Sequence, residues 1–238
     1  MSRNIVIIGA SGTIGSSLVN IYKKNSDNQV YAFSRGYNYQ RDANLIMDDI
    51  DIIDEGSMQK IVMKYFTESS IDILIIATGL LHNEIIFPEK SIREISLKKF
   101  QTVFNINTFA PALIFKHFFN TISRERKSIF AAFSARVGSI SDNKIGGWHS
   151  YRASKSALNM IIKNFSIEIS RKYKNNIIVG LHPGTVDSKL SKPFQKNVPT
   201  EKLFSGEYSA LKIVKVLDSL SIQDTGKCFD FNSLEVFP

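Results

Sequence analysis

Residues 4–15 read Asn4-Ile5-Val6-Ile7-Ile8-Gly9-Ala10-Ser11-Gly12-Thr13-Ile14-Gly15, and this stretch decides the fold class. Its first half is a β-branched apolar run of strand length, the pattern of a strand covered on both faces. Its second half spaces three glycines evenly. It then gives way to Ile14, Leu18, Val19 and Ile21, an apolar face at helical spacing. A plain strand-to-helix turn needs only one glycine. Three allow a tight turn and close backbone approach to a bound group, while the following helix presents unpaired N–H groups and the positive end of its dipole. A dinucleotide pyrophosphate requires that combination, so Gly9, Ser11, Gly12, Thr13, Ile14 and Gly15 are assigned to nucleotide binding.

Working outward, the same alternation continues along the chain. Strands are expected at 4–8, 30–33, 45–47, 71–77, 128–133, 177–181 and 228–231, and helices at 14–24, 57–68, 97–119, 151–173 and 207–219. Several strands, such as Ile73-Leu74-Ile75-Ile76, are apolar nearly throughout. Strand–helix alternation from end to end predicts an α/β fold of Rossmann type, a doubly wound and mostly parallel sheet of about seven strands with helices on both faces. No internal repeat or linker divides the chain, so residues 1–238 are read as a single domain. The stretches 80–96, 138–150 and 188–205 are expected to be long loops.

Composition excludes several alternatives. The chain is 43% hydrophobic and 22% charged, ordinary for a soluble globular protein. Charged residues interrupt every apolar run before membrane-spanning length, and no signal peptide is read at the N-terminus. The single cysteine, Cys228, rules out an internal disulfide framework and suits a cytoplasmic setting. A net charge of +8 raises nucleic acid as a partner. The basic residues are scattered, however, and their densest cluster, Arg124 to Lys127, fits a helix-to-strand turn. Neither a nucleic acid, a membrane nor a metal ion is expected.

The end of the second strand bears on nucleotide choice. An acid there selects NAD(H), whereas an arginine accommodates a 2′-phosphate. The sequence offers Ser34-Arg35 and no acid until Asp42. NADP(H) is therefore preferred over NAD(H), with Arg35 pairing through its planar fork and Ser34 adding a hydroxyl. Further on, Tyr151 and Lys155 stand four apart at the start of a helix and share a face. A phenol titrates near pH ~10. A neighbouring cation is expected to lower that value and make Tyr151 usable as a general acid or base. Such a pair also arises by chance in amphipathic helices, and it gains meaning only beside a cofactor site. In the helix 97–119, Pro111 has no N–H, so the Asn107 carbonyl loses its helical partner.

The glycine motif, the Tyr-x-x-x-Lys pair and their spacing resemble the short-chain dehydrogenase/reductase family over essentially the whole chain. Ser134-Ala-Arg-Val-Gly-Ser-Ile and Gly146-Gly147-Trp148-His-Ser-Tyr-Arg-Ala-Ser-Lys most resemble the bacterial C-factor-like subgroup, and His182-Pro183-Gly184-Thr185-Val186-Asp187 is similar to the family's Pro-Gly motif. The resemblance implies hydride transfer between a nicotinamide and a small carbonyl or alcohol substrate. Tyr151 would be the general acid or base, and Lys155 would hold the nicotinamide ribose. It implies that Asn107 holds a water through its carbonyl, and that Pro183, Gly184, Thr185, Val186 and Ser188 meet the nicotinamide end. Asp51 and Ile52 would touch the adenine, with Ala77, Thr78 and Gly79 passing behind the adenosine ribose. It also implies a homodimer or homotetramer.

The sequence departs from the family at three places. The second serine after the fifth expected strand is Ala135, leaving Ser134 as the first choice for the catalytic hydroxyl and Ser139 as the alternative. The asparagine common after the fourth strand is Ala77. The glycine spacing matches atypical and extended members, although no C-terminal substrate domain follows, which argues against a sugar-nucleotide epimerase. Trp148, His149, Phe194 and Leu81 are read as pocket walls. A regulatory nucleotide-binding protein with little turnover is the alternative to the enzyme.

Overall fold

The computed structural model describes residues 2–238 and arranges the alternating elements in three layers. In chain order they are β1 (Arg3–Ile8), α1 (Thr13–Tyr22), β2 (Asn28–Phe33), β3 (Gln40–Asp42), β4 (Leu45–Asp48), α2 (Glu55–Tyr65), β5 (Ile73–Ile76), α3 (Leu97–Phe104), α4 (Ala110–Phe118), β6 (Ser128–Phe133), α5 (His149–Lys172), β7 (Asn176–His182), β8 (Thr185–Val186), β9 (Leu203–Phe204), α6 (Gly206–Ser219) and β10 (Cys228–Asp230). The main sheet has eight strands in the order β10-β7-β6-β5-β1-β2-β4-β3, all parallel except β3. The chain winds outward through β2 and β4, then returns to β5 on the other side of β1. The winding therefore reverses between β1 and β5, where open α/β sheets bind ligands at their carboxyl edge.

Alternate side chains feed two apolar layers. Ile5 and Ile7 pack with Leu18, Val19, Ile213 and Leu217 under α1 and α6. Val6 and Ile8 pack with Met58, Ile114, Phe118, Leu158 and Ile162 under α2, α4 and α5. Each such side chain stabilises the fold by about 1.5–3 kcal/mol. Partly exposed ion pairs such as Arg3–Asp218 contribute about 0–1 kcal/mol each. The two layers therefore hold the scaffold that positions the site.

The sheet has one strand more than expected. β3 is exposed at all three residues, so burial leaves no apolar period to read. The pair β8–β9, two residues each, forms a second small sheet, with β9 inside the stretch 188–205 expected to be loop. The expected long helix 97–119 is broken by a π-helical turn, Asn105–Phe109, in which the Ala110 N–H reaches back to the Asn105 carbonyl. Pro111 explains the break, because a missing N–H forces the hydrogen-bond ladder to shift register there. Among the described residues, no helix is long and apolar enough to cross a membrane.

Candidate active site at the carboxyl edge of the sheet

The glycine turn closes against its neighbours at distances that only glycine permits. Gly9 has φ +89° and donates its N–H to the Phe33 carbonyl at 2.9 Å; a Cβ there would stand 2.8 Å from the Thr78 methyl. A Cβ on Gly15 would overlap the Gly9 carbonyl oxygen. Asp54, Ser96 and Ser205 cap α2, α3 and α6 with their side chains, whereas α1 starts at Gly12 with no side-chain cap. The first-turn N–H groups of α1 thus have no side-chain acceptor, and they sit at the positive end of the helix. Beside them the buried Thr78 hydroxyl has no hydrogen-bond partner among the described residues. An uncapped helix start, a cradle without Cβ atoms and an unsatisfied hydroxyl fit a phosphate-bearing nucleotide.

At the end of β2, the Ser11 and Ser34 hydroxyls meet at 2.5 Å, and Arg35 is exposed beside them. Folding also brings an acid here that linear reading did not place: Asp49, after β4, accepts the Gly36 N–H at 2.6 Å. Asp51 accepts the Ile53 N–H through its carboxylate, and Ile52 packs on the α2 side of the core. Ala77 donates its N–H to the Ile8 carbonyl, tying the turn after β5 to β1.

Across the switch point, the Pro183 carbonyl accepts the Ser209 hydroxyl, and Gly184 adopts φ +80°. Thr185 and Val186 form β8, paired with Leu203 and Phe204. The Ser188 N–H donates to the Ser191 hydroxyl.

Tyr151 and Lys155 are both buried on α5. The Lys155 Nζ donates to the Phe133 carbonyl at 2.7 Å and lies 5.8 Å from the Tyr151 ring centre. A Cβ on Gly79 would stand 3.8 Å from both Lys155 Nζ and Asn107 Oδ1, so the lysine, the asparagine and the turn after β5 meet at one point. The Asn107 side chain is fully engaged, accepting the Leu80 N–H and donating to the Leu80 carbonyl and the Ser154 hydroxyl. The expectation for the tyrosine's acidity is corrected here. Burial pushes Tyr151 up to about 12, and burial pulls Lys155 down to about 8. Loss of water favours the neutral form of each group.

The two serines point elsewhere. Ser134 donates to Asn159 Oδ1 at 2.6 Å, and Ser139 accepts the Asp142 N–H at 3.1 Å. Tyr151 and Ala135 belong to one apolar cluster with Leu81, Ile86 and Val103, flanked by Trp148 and Phe194. His149 is half-buried as the first residue of α5. A cavity of about 520 Å³ opens beside it, lined by Gly79, His82, Phe87, Lys189, Leu190 and Pro193 among others. A chain of aromatic contacts leads from this cavity to Tyr151. His82 stacks on Phe87 at 5.6 Å and meets Phe194 edge-on at 5.5 Å; Phe194 meets Trp148 at 5.0 Å, and Trp148 meets Tyr151 at 6.2 Å.

Residues 3–199 match the family model for short chain dehydrogenase. The chain belongs to the short-chain dehydrogenase family. It is 37% identical over 95 residues to 1-hydroxy-2-glutathionyl-2-methyl-3-butene dehydrogenase of Rhodococcus sp. (strain AD45), a match spanning 40% of this chain and 39% of that relative's length. It is 28% identical over 133 residues to the C-signal of Myxococcus xanthus, covering 56% of this chain and 75% of the relative. Among solved structures, an NADPH-bound carbonyl reductase from chicken fatty liver superposes with a TM-score of 0.86 at 23% identity, covering 100% of this chain and 99% of that one.

Sequence reasoning missed the wall residues His82 and Phe87, the serine's partner Asn159, the acid Asp49, and the buried Glu89 that accepts from Ser150 at the start of α5. The Asn159 signal was available, because it lies one turn beyond Lys155 on the same helical face. The others come from loops, where no periodicity marks which side chain turns inward.

Proposed function

We propose that the chain is an NADP(H)-dependent reductase of small carbonyl compounds, or in reverse an alcohol dehydrogenase. The observation that carries this reading is the meeting of buried Lys155 and Asn107 at Gly79, beside Tyr151 and next to the glycine cradle. The uncapped start of α1 would hold the pyrophosphate, with Thr78 and Gly79 near the adenosine ribose and residues 183–188 at the nicotinamide end. Ser11, Ser34 and Arg35 would receive the 2′-phosphate, and the NADPH-bound neighbour supports that preference. Asp51 and Ile52 would border the adenine.

The cofactor supplies the hydride when bound; the chain supplies position and the proton. Tyr151, with its hydroxyl held protonated well above neutral pH, donates to the developing alkoxide. Lys155 holds the ribose hydroxyls. With the Asn107 side chain fully engaged, its main-chain carbonyl, freed by Pro111, is the group left to hold a water linked to the lysine. Ser134, and Ser139 after it, remain the hydroxyls proposed to meet the substrate carbonyl, each needing to leave its present partner.

Tyr151→Phe tests the reading. Turnover of a panel of ketones and aldehydes should fall ~10²–10⁴-fold with NADPH affinity unchanged, and full activity in this variant would refute the role. A second reading, a nucleotide-binding regulator, draws on apolar Ala135 beside Tyr151 and on the likeness to the C-signal. Tight NADPH binding without turnover of any carbonyl would favour it. A homodimer or homotetramer is proposed from exposed Phe109, Met160 and Ile167 on the face carrying the π-helical turn and α5. Sedimentation as a monomer at micromolar concentration would refute it.

A further inference from the structure

Glu89 is 0% exposed. A carboxylate removed from water is costly unless strong donors meet it, so its partners define its purpose. Both side-chain donations come from one residue: the Ser150 N–H and the Ser150 hydroxyl reach Glu89 Oε2 at 3.1 and 3.0 Å. The Glu89 main-chain carbonyl accepts the Trp148 N–H at 2.5 Å. Its Oε1 has no partner among the described residues. Glu89 therefore grips the residues immediately before Tyr151 by side chain and backbone together.

α5 needs such a grip. It is 24 residues long, and its N-cap residue, Trp148, sits at φ 49° with no capping side chain. Gly146 and Gly147 before it also have positive φ, and a Cβ on Gly147 would press to 3.3 Å from the Glu89 carbonyl. Ser150 is the second residue of the helix, where an N-cap side chain would accept. Glu89 makes that bond from a distant loop, with its carboxyl set at the positive end of the helix. The same loop sends Leu81 and Ile86 against Tyr151 and His82 and Phe87 into the cavity wall.

We propose that Glu89 is a positioning residue, which locks the first turn of α5 to the substrate-facing loop so that the Tyr151 hydroxyl is held at the angle turnover requires. The proposal rests on Tyr151 as the acid–base group. Misplacing a reacting group by about 1 Å costs on the order of 10²-fold in rate.

The test compares wild type, Glu89→Gln, Glu89→Ala and Tyr151→Phe in the full chain. Glu89→Gln keeps the shape and one acceptor oxygen, so it decides the matter if Glu89→Ala fails to fold. The expected result is a kcat lower by ~10-fold in Glu89→Gln and ~100-fold in Glu89→Ala, with the Kd for NADPH within about twofold of wild type. Trp148 is the only tryptophan, so its fluorescence reports directly on this joint, and its quenching by acrylamide should rise in both Glu89 variants. Unchanged kcat in Glu89→Gln, or a loss of NADPH affinity equal to the loss of turnover, overturns the proposal. Unchanged Trp148 quenching overturns it even if no carbonyl in the panel is turned over. Full activity in Tyr151→Phe would sink the acid–base reading instead; an inactive Tyr151→Phe beside an unaffected Glu89→Gln would sink only the positioning role.

Discussion

Gly15→Ala sets two effects of opposite sign against each other. Gly15 lies inside α1, where alanine is the better helix former by about 1 kcal/mol. Against that, a Cβ at this position would overlap the Gly9 carbonyl oxygen and stand 2.9 Å from the Gly9 carbonyl carbon and 3.0 Å from Ala10 Cα. Carbon atoms prefer ~3.5–4.0 Å, and these obstructing atoms are backbone that cannot rotate away, so α1 must retreat by about 0.5–1 Å. Overpacking costs ~1–3 kcal/mol, and a Cβ that overlaps a backbone oxygen belongs at the upper end, ~2–3 kcal/mol, so the net loss after the propensity gain is about 1–2 kcal/mol. In a chain of this length each kcal/mol is worth ~2–4 °C in Tm, so the variant should melt about 2–8 °C lower. The retreat also carries the uncapped N–H groups away from the bound phosphate. One lost charge-assisted hydrogen bond, about 1.5–3 kcal/mol, weakens NADPH binding roughly 10–100-fold. Thermal melts and a fluorescence titration with NADPH measure both. Gly12→Ala is the control, because its Cβ meets a single atom at 3.3 Å and should change stability by less than about 1 kcal/mol. A Gly15→Ala protein that melts at or above wild type and binds NADPH equally well would refute this account of the turn.

Arg35→Asp should shift preference from NADPH toward NADH by roughly 10–100-fold, the worth of one charge-assisted phosphate contact, and an unchanged ratio of kcat/KM values would remove Arg35 from the site. His182 gives a pH prediction. Burial pulls its imidazole down to about 4 from an ordinary 6.5, outweighing the opposing pull of Asp230. Between those values the unfolded chain binds the proton and the native chain does not, so stability is lost as pH falls from 6.5 toward 4, by about 2 kcal/mol at pH 5. Urea unfolding at pH 7 and pH 5 should show that loss in wild type and a smaller one in His182→Gln; equal losses would place the acid sensitivity elsewhere.

How much of this was legible in the sequence depends on whether a feature is local. The glycine turn, the Tyr151–Lys155 spacing and the Asn107 carbonyl left without a helical partner by Pro111 are local, and each was read from a few neighbouring residues. Seven of the eight strands of the main sheet were legible, and for strands such as β1, β5, β6 and β7 this was because burial on both faces leaves apolar runs. Polar, exposed β3 left none. The direction of the Tyr151 shift was not local: spacing places a cation nearby, but only the apolar cluster of Leu81, Ile86, Val103 and Ala135 sets how much water is lost, and that loss decides the sign. Glu89 and Asp49 make the same point from the other side. Each is an acid far from its partner in the chain, tied by a hydrogen bond to a turn that sequence assigned without it. The two serines sharpen the consequence for chemistry. Ser134 and Ser139 are bonded to Asn159 and Asp142, so if Tyr151 is the acid proposed above, its orientation depends on what holds its helix, and Glu89 holds the start of that helix through Ser150 and Trp148.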